Sequence, residues 1–291
     1  MEPRIVGVIG GSGVYALDAI DGAERLTIET PWGPPSGQVV RGRMNGVEVA
    51  FLARHGEGHR IPPSEVNYRA NIDALKRAGV TDVISVSACG SFREELAPGV
   101  FVIVDQFIDR TSDRAKSFFG AGCVAHVSMA KPVCPALGDA LEASCAALVI
   151  PHRRGGTYLA IDGPQFSSLA ESLLYKSWGA DVIGMTGMPE AKLAREAELP
   201  YASVGMVTDY DCWRAESGHV EVAGILEIMR QNAQAARRLV ADVVARLGAT
   251  RTASPLGIET TLDFAIITPP EARDPAMIAK LGAVAGRALK R

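Results

Sequence analysis

Two aspartates stand at the end of an apolar run. Tyr201-Ala202-Ser203-Val204-Gly205-Met206-Val207 reads as a buried strand and delivers Thr208-Asp209-Tyr210-Asp211-Cys212-Trp213 to its carboxyl end, the edge at which open α/β sheets bind ligands. Neighbouring carboxylates favour one protonated and one charged partner, so this strand end offers a proton donor and an anion together. Groups suited to an anion follow other strands: Ala53-Arg54-His55-Gly56, Ser87-Ala88-Cys89-Gly90-Ser91 and Gly184-Met185-Thr186-Gly187. Taken singly, Arg54 is an ordinary surface cation, His55 a satisfied polar residue, and Ser87 and Thr186 turn formers or caps. Their shared place after strands brings them to one edge of the sheet, where a guanidinium fork among hydroxyls is suited to phosphate.

A further candidate is the glycine turn Gly10-Gly11-Ser12-Gly13-Val14-Tyr15-Ala16. It fits G-x-G-x-x-A, and Glu29 lies about where a dinucleotide fold places an acid for the ribose. Asp18, Asp21 and Gly22 are poor material for the crossover helix of that fold. The more general reading is that the glycine N–H groups and the Ser12 hydroxyl close on a single phosphate.

The elements that must position these groups alternate. Periodicity predicts strands at residues 5–10, 25–29, 39–44, 47–53, 82–87, 100–104, 157–161, 181–184 and 201–207, and helices at 135–148, 168–178, 189–198 and 220–247. Asn45-Gly46 is a hairpin signal, which makes the sheet mixed. Ser64 reads as the N-cap of a helix carrying Val66, Ile72, Leu75 and Ala78 and stopped at Gly79. The long helix carries Val222, Ile225, Leu226, Met229, Ala233, Ala236 and Val240 on one stripe. Residues 110–133 read as irregular, 248–257 as a linker and 261–267 as a strand. A last helix is capped by Asp274-Pro275, with Ile278, Leu281, Ala285 and Leu289 on one face. The fold class is α/β, a single domain with a central mixed β-sheet flanked by helices. Residues 1–247 form its core, and 248–291 a C-terminal segment that packs on the core or on a neighbouring subunit.

Composition narrows the function classes. A chain of 291 residues with 47% hydrophobic residues can bury a large core. A net charge of -3 leaves no basic footprint for nucleic acid, no stretch is long enough to span a bilayer, and the start shows no charged and apolar leader, so the expected place is the cytoplasm. The five cysteines form no C-x-x-C pair and read as reduced thiols. His55 and His59 are spaced i to i+4, but Gly56 and Gly58 exclude a zincin helix. No metal is expected, and no G-x-S-x-G elbow supports acyl hydrolysis.

Several segments, in order, carry a resemblance: Leu52-Ala53-Arg54-His55-Gly56, Val66-Asn67-Tyr68-Arg69-Ala70-Asn71-Ile72, Ala88-Cys89-Gly90-Ser91, Gly163-Pro164-Gln165-Phe166-Ser167-Ser168, Met185-Thr186, Pro189-Glu190 and Thr208-Asp209-Tyr210-Asp211-Cys212-Trp213. From about residue 5 to residue 247 the chain resembles the trimeric purine nucleoside phosphorylases, which displace a purine from C1' of a nucleoside with inorganic phosphate. The resemblance implies a phosphate site of Ser12, Arg54, His55, Ser87, the Ala88 backbone and Thr186. It puts Met185 under the ribose and Phe166, Ser167, Asp209 and Asp211 around the base, with Asp209 as the donor to N7 and Asp211 accepting from a 6-amino group. Val222, Ile225 and Leu226 fall where the family lines a methylthio pocket. His126 and a residue of the C-terminal segment, Ile267, correspond to groups that reach the site from a neighbouring subunit, which implies a homotrimer or a hexamer built of trimers.

The expected reaction is therefore phosphorolysis of 5'-methylthioadenosine to adenine and 5-methylthioribose 1-phosphate, with phosphate as co-substrate and no cofactor. The alternatives are a 6-oxopurine or methylthioinosine phosphorylase, a nucleosidase using water, and a dinucleotide-binding protein. Three features depart from the family pattern. Gln165 replaces a usual arginine, Gly184 replaces an asparagine or serine before the methionine, and residues 268–291 extend past the usual end.

Overall fold

The computed structural model describes residues 2–11, 20–214 and 222–290, with only the backbone described at 222–225. The chain opens with β1 (Glu2–Pro3), β2 (Ile5–Gly10), β3 (Asp21–Leu26), β4 (Val39–Met44) and β5 (Val47–Ala53). Helix α1 (Tyr68–Arg77) leads to β6 (Asp82–Ser91), β7 (Phe101–Val104) and β8 (Gln106–Asp109). Then come α2 (Pro135–Ala147), β9 (His152–Arg154), β10 (Thr157–Ala160), α3 (Leu169–Ser177), β11 (Val182–Gly184), α4 (Gly187–Glu196) and β12 (Tyr201–Asp209). Finally α5 (Val222–Leu247), β13 (Thr250–Arg251), α6 (Pro275–Lys280) and α7 (Gly282–Leu289) close the chain.

Eleven of these strands form one mixed sheet around β6. β6 runs parallel to β2 on one side and to β12 on the other, and its last residues pair antiparallel with β11. The hairpin of β4 and β5 turns through Asn45 and Gly46, both at positive φ, the conformation that a two-residue turn needs to match strand twist. Apolar residues cover both faces of the sheet. Leu137 and Leu141 of α2 and Leu239, Val240 and Val243 of α5 pack on one face. Ile72 and Leu75 of α1, Leu193 and Ala194 of α4 and Leu281, Val284 and Ala285 pack on the other. The result is the expected α/β domain, a sheet between two helical layers.

Local differences have local causes. The strand expected at residues 25–29 lies earlier, at β3, and Glu29 is outside it. Ser64 does not cap α1. It sits in a 3-10 turn, Pro63–Glu65, and donates its hydroxyl to the Asp162 carbonyl at 2.9 Å, while Asn67 caps the helix by accepting from the Ala70 N–H at 3.1 Å. Residues 261–267 are not a strand. Ile258–Asp263 is a 3-10 helix, and only Ile266 makes a bridge, to Ala125. The last helix breaks at Leu281 into α6, capped by Asp274 as expected, and α7. The C-terminal segment packs on this chain's own core: β13 pairs with β1, and Arg287 of α7 clasps Glu198 at 2.8 Å.

One buried ion pair joins the strands to α4. Arg54, at the end of β5 and 1% exposed, donates from Nε to Glu190 Oε2 at 2.8 Å and from Nη2 to Glu190 Oε1 at 3.1 Å. Nη2 also reaches Ser85 Oγ at 2.7 Å, Nη1 reaches the Val86 carbonyl at 3.1 Å, and Tyr201 of β12 donates to Glu190 Oε1 at 3.0 Å. The Glu190 charge raises the affinity of the guanidinium for its proton against the opposing effect of burial. Removing one charge would strand the other in a dry interior. Glu190→Gln is expected to lower the free energy of unfolding by about 3–5 kcal/mol, read from urea denaturation; a loss of about 1 kcal/mol or less, as for a surface pair, would contradict this.

Candidate active site

The sheet has a gap at the centre of β6. The β2 ladder ends at Gly10 opposite Val86, and the β11 ladder begins at Ile183 opposite Gly90. Ser87, Ala88 and Cys89 therefore pair with β12 on one side only. A cavity of about 290 Å³ opens over this edge, at a switch point of the kind where α/β sheets take ligands.

Five of the expected anion residues line it: Arg54, His55, Ser87, Ala88 and Thr186. Ser12 lies outside the described residues, although Gly11 before it reaches the cavity. The geometry corrects the expectation of a guanidinium fork. A guanidinium has five N–H donors, and among the described residues Glu190, Ser85 and the Val86 carbonyl take all but one, on Nη1. Arg54 can thus offer an incoming anion its charge and one hydrogen bond. His55 is likewise not a cationic donor. Burial, with the nearby Arg54 charge, pushes its pKa down to about 4, so the ring is neutral at pH 7. Its Nδ1 lies 2.8 Å from the Ile61 carbonyl; a carbonyl only accepts, so Nδ1 carries the proton and Nε2 is left as an acceptor. A phosphate can meet that nitrogen only through a protonated oxygen. Thr186 precedes α4, whose regular turns begin at Pro189 because Met188 is extended, and helix N-termini favour anions.

The other half of the cavity holds Phe166, Ser167, Met185, Asp209 and Asp211. Asp211 accepts the hydroxyl hydrogen bond of Ser172 from α3, but burial still raises its pKa. Asp209 is pushed up by burial and, further, by the Asp211 charge, against the Thr208 hydroxyl at 2.7 Å. The two acids are therefore unequal, and Asp209 has the extra reason to hold a proton. Gly90 leaves them room, since a Cβ there would lie 3.0 Å from Asp209 Oδ1 and 3.4 Å from Asp211 Cβ. The loop after β12 is anchored by Trp213 Nε1 donating to the Ser91 carbonyl at 2.7 Å. Ser167 Oγ is buried with no hydrogen-bond partner among the described residues, as expected of a hydroxyl that meets a ligand. Phe166 is 79% exposed at the rim.

Other expected residues fall elsewhere. The side chains of Val222 and Ile225 lie outside the described residues, and Leu226 is 59% exposed and does not line the cavity. Met229, Asn232 and Ala233 of the same helix line the cavity instead, and Asn232 is the first buried residue among the described side chains of α5. His126 is exposed and outside the cavity, with its N–H on the Ala265 carbonyl at 2.9 Å. Ile267, 60% exposed, donates to the Val124 carbonyl at 3.0 Å, so both residues ride one surface ribbon. Glu29, which the dinucleotide reading requires, is exposed and not at the cavity.

The structure also brings in residues that sequence reasoning missed. Arg114, from the stretch read as irregular, donates to the carbonyls of Met185 at 2.7 Å, Met188 at 2.8 Å and Asp162 at 2.8 Å, which fixes the loop carrying Met185. Asn232 donates to the Val207 carbonyl at 2.9 Å. Neither belongs to a local pattern that would mark it. His55 and His59 stack with ring centroids 4.2 Å apart. Among the described residues no three His, Cys, Asp or Glu side chains are grouped to hold a metal.

Comparison with known proteins accords with this geometry. Residues 5–245 match the model of the phosphorylase superfamily. The chain is 60% identical to the S-methyl-5'-thioadenosine phosphorylase of Cereibacter sphaeroides, over 98% of this chain and 99% of the relative. It is 60% identical to the enzyme of that name from Rhodospirillum rubrum, over 98% and 97%. Among solved structures, a methylthioadenosine phosphorylase from an antarctic soil metagenomic library superposes with a TM-score of 0.90 at 45% identity, over 98% and 99% of the two chains. The Schistosoma mansoni methylthioadenosine phosphorylase in complex with adenine superposes at 0.79, with 39% identity over 85% and 93%. The chain belongs to the phosphorylase superfamily, in the family of the S-methyl-5'-thioadenosine phosphorylases.

Proposed function

We propose that this chain catalyses phosphorolysis of 5'-methylthioadenosine, giving adenine and 5-methylthioribose 1-phosphate. The observation that carries the reading is one cavity divided between an anion half and two unequal acids. Its likeness to relatives bearing that name supports the same substrate.

A phosphate oxygen attacks C1' of the ribose as the bond from C1' to the purine nitrogen breaks, and the bonding electrons leave with the base. Positive charge grows on the sugar and negative charge on the purine. Phosphate beside Arg54, Ser87, Ala88 and Thr186 supplies the nucleophile, with the Ser12 hydroxyl added from the glycine turn. His55 Nε2 accepts a hydrogen bond from the protonated oxygen of monohydrogen phosphate and so turns an unprotonated oxygen toward the sugar. Protonated Asp209 donates to N7 of the departing base, and ionised Asp211 accepts from the 6-amino group of adenine. Ser167 and Phe166 flank the base and Met185 lies under the ribose. An apolar 5' end of the substrate suits Val222, Ile225 and Met229 better than a hydroxyl would.

No cofactor enters this chemistry. We place the working enzyme in the cytoplasm as a homotrimer in which His126 and Ile267 of one copy reach the site of the next; among the described residues no helix is long and apolar enough to cross a membrane. The test is base release from 5'-methylthioadenosine, 5'-methylthioinosine, adenosine and inosine with and without phosphate. Methylthioadenosine should be cleaved fastest and only with phosphate. Release without phosphate would make the enzyme a nucleosidase, and preference for methylthioinosine would show that Asp209 and Asp211 do not read adenine. A positioned acid contributes about 10²- to 10⁴-fold, so Asp209→Asn should lose about that much kcat in adenine release while its thermal unfolding midpoint stays near that of the parent. Full retained activity would remove Asp209 from the donor role.

A further inference from the structure

Tyr158 is fully buried in β10, and its ring reaches across β11 to Gly184 and the Thr186 N–H, both of residues that line the anion half of the cavity. Tyr158 pairs with Val182 and Ala160 with Gly184, so the ring leans two residues along the neighbouring strand. It fits only because Gly184 has no side chain, since a Cβ there would lie 1.9 Å from Tyr158 Oη and 2.6 Å from Cζ. Gly187 makes a second notch, where a Cβ would stand 3.1 Å from Tyr158 Cε1 and 2.9 Å from Phe107 Cε1. The two glycines together open the space that admits the phenol.

The hydroxyl ends beside the anion half. The Thr186 N–H points to Tyr158 Oη at 3.5 Å, the outer limit of a hydrogen bond. A buried phenol needs partners, and this one accepts from the backbone of a residue that lines the cavity in the turn between β11 and α4.

We propose that Tyr158 is a positioning residue for phosphate, its hydroxyl, admitted by Gly184, holding the Thr186 backbone where the turn before α4 meets the anion. The proposal rests on the phosphorolysis reading. Tyr158 touches no reacting atom, so its loss should appear in phosphate binding and not in recognition of the nucleoside.

The test is steady-state kinetics of Tyr158→Phe with phosphate and 5'-methylthioadenosine varied separately, together with its thermal unfolding midpoint. Loss of the hydroxyl alone should raise the phosphate KM about fivefold to tenfold, the worth of one ordinary hydrogen bond, with the nucleoside KM within about twofold of the parent. Gly184→Ala, which drives the same hydroxyl from its place, should also raise the phosphate KM, and by less in the Tyr158→Phe background than alone; this second variant decides the matter if Tyr158→Phe does not fold. An unchanged phosphate KM, or equal rises in both KM values, would overturn the assignment. A parent enzyme that releases base without phosphate would instead overturn the phosphorolysis reading, and this assignment with it.

Discussion

The Arg54–Glu190 pair is the contact on which the site depends. A guanidinium at 1% exposure must be neutralised and must have its donors satisfied. Satisfying them brings β5, β6, β12 and α4 to one point through Glu190, Ser85, the Val86 carbonyl and Tyr201. Glu190 lies four residues after Thr186, so the same pair sets where the loop before α4 approaches the strand ends. An arginine that first reads as a ligand for phosphate is thereby also the tie that builds the anion half of the cavity. Its one remaining N–H and its charge face a cavity already shaped by its other bonds.

Around this tie the sheet leaves Ser87, Ala88 and Cys89 unpaired on one edge, because β2 stops before β11 begins. The gap gives the cavity a polar floor of backbone groups and hydroxyls. Across it, β12 carries Asp209 and Asp211 into a setting where burial raises both and their mutual proximity raises Asp209 further. A neutral imidazole, one available guanidinium N–H and unequal acids form a site with few free charges, in which hydrogen bonds act without competition from water.

Much of this was legible in the sequence because strand ends are local features. Arg54, Ser87, Thr186 and Asp209 each follow an apolar run, and the resemblance to purine nucleoside phosphorylases places them together. What was not legible depends on distant partners. Nothing near Arg54 tells that its fork closes on Glu190, 136 residues away, or that the Ile61 carbonyl turns His55 from donor to acceptor. A helical stripe gives Leu226 a direction but not the place along α5 at which the cavity lies. Ser64 lost the cap to Asn67 because two prolines hold it in a separate turn. Residues 261–267 have the composition of a strand, but only Ile266 meets a partner there. Tyr158 carries no local signal, because its place depends on Gly184 of the neighbouring strand lying against its hydroxyl.

The most direct measurement is a crystal structure of the protein grown with adenine and inorganic phosphate. The account predicts phosphate over the free edge of β6, within hydrogen-bonding distance of Ser87, Thr186 and Arg54 Nη1, with a protonated oxygen toward His55 Nε2 and adenine N7 against Asp209. A phosphate bound away from Ser87 and Thr186, or an adenine whose N7 turns from both aspartates, would contradict it.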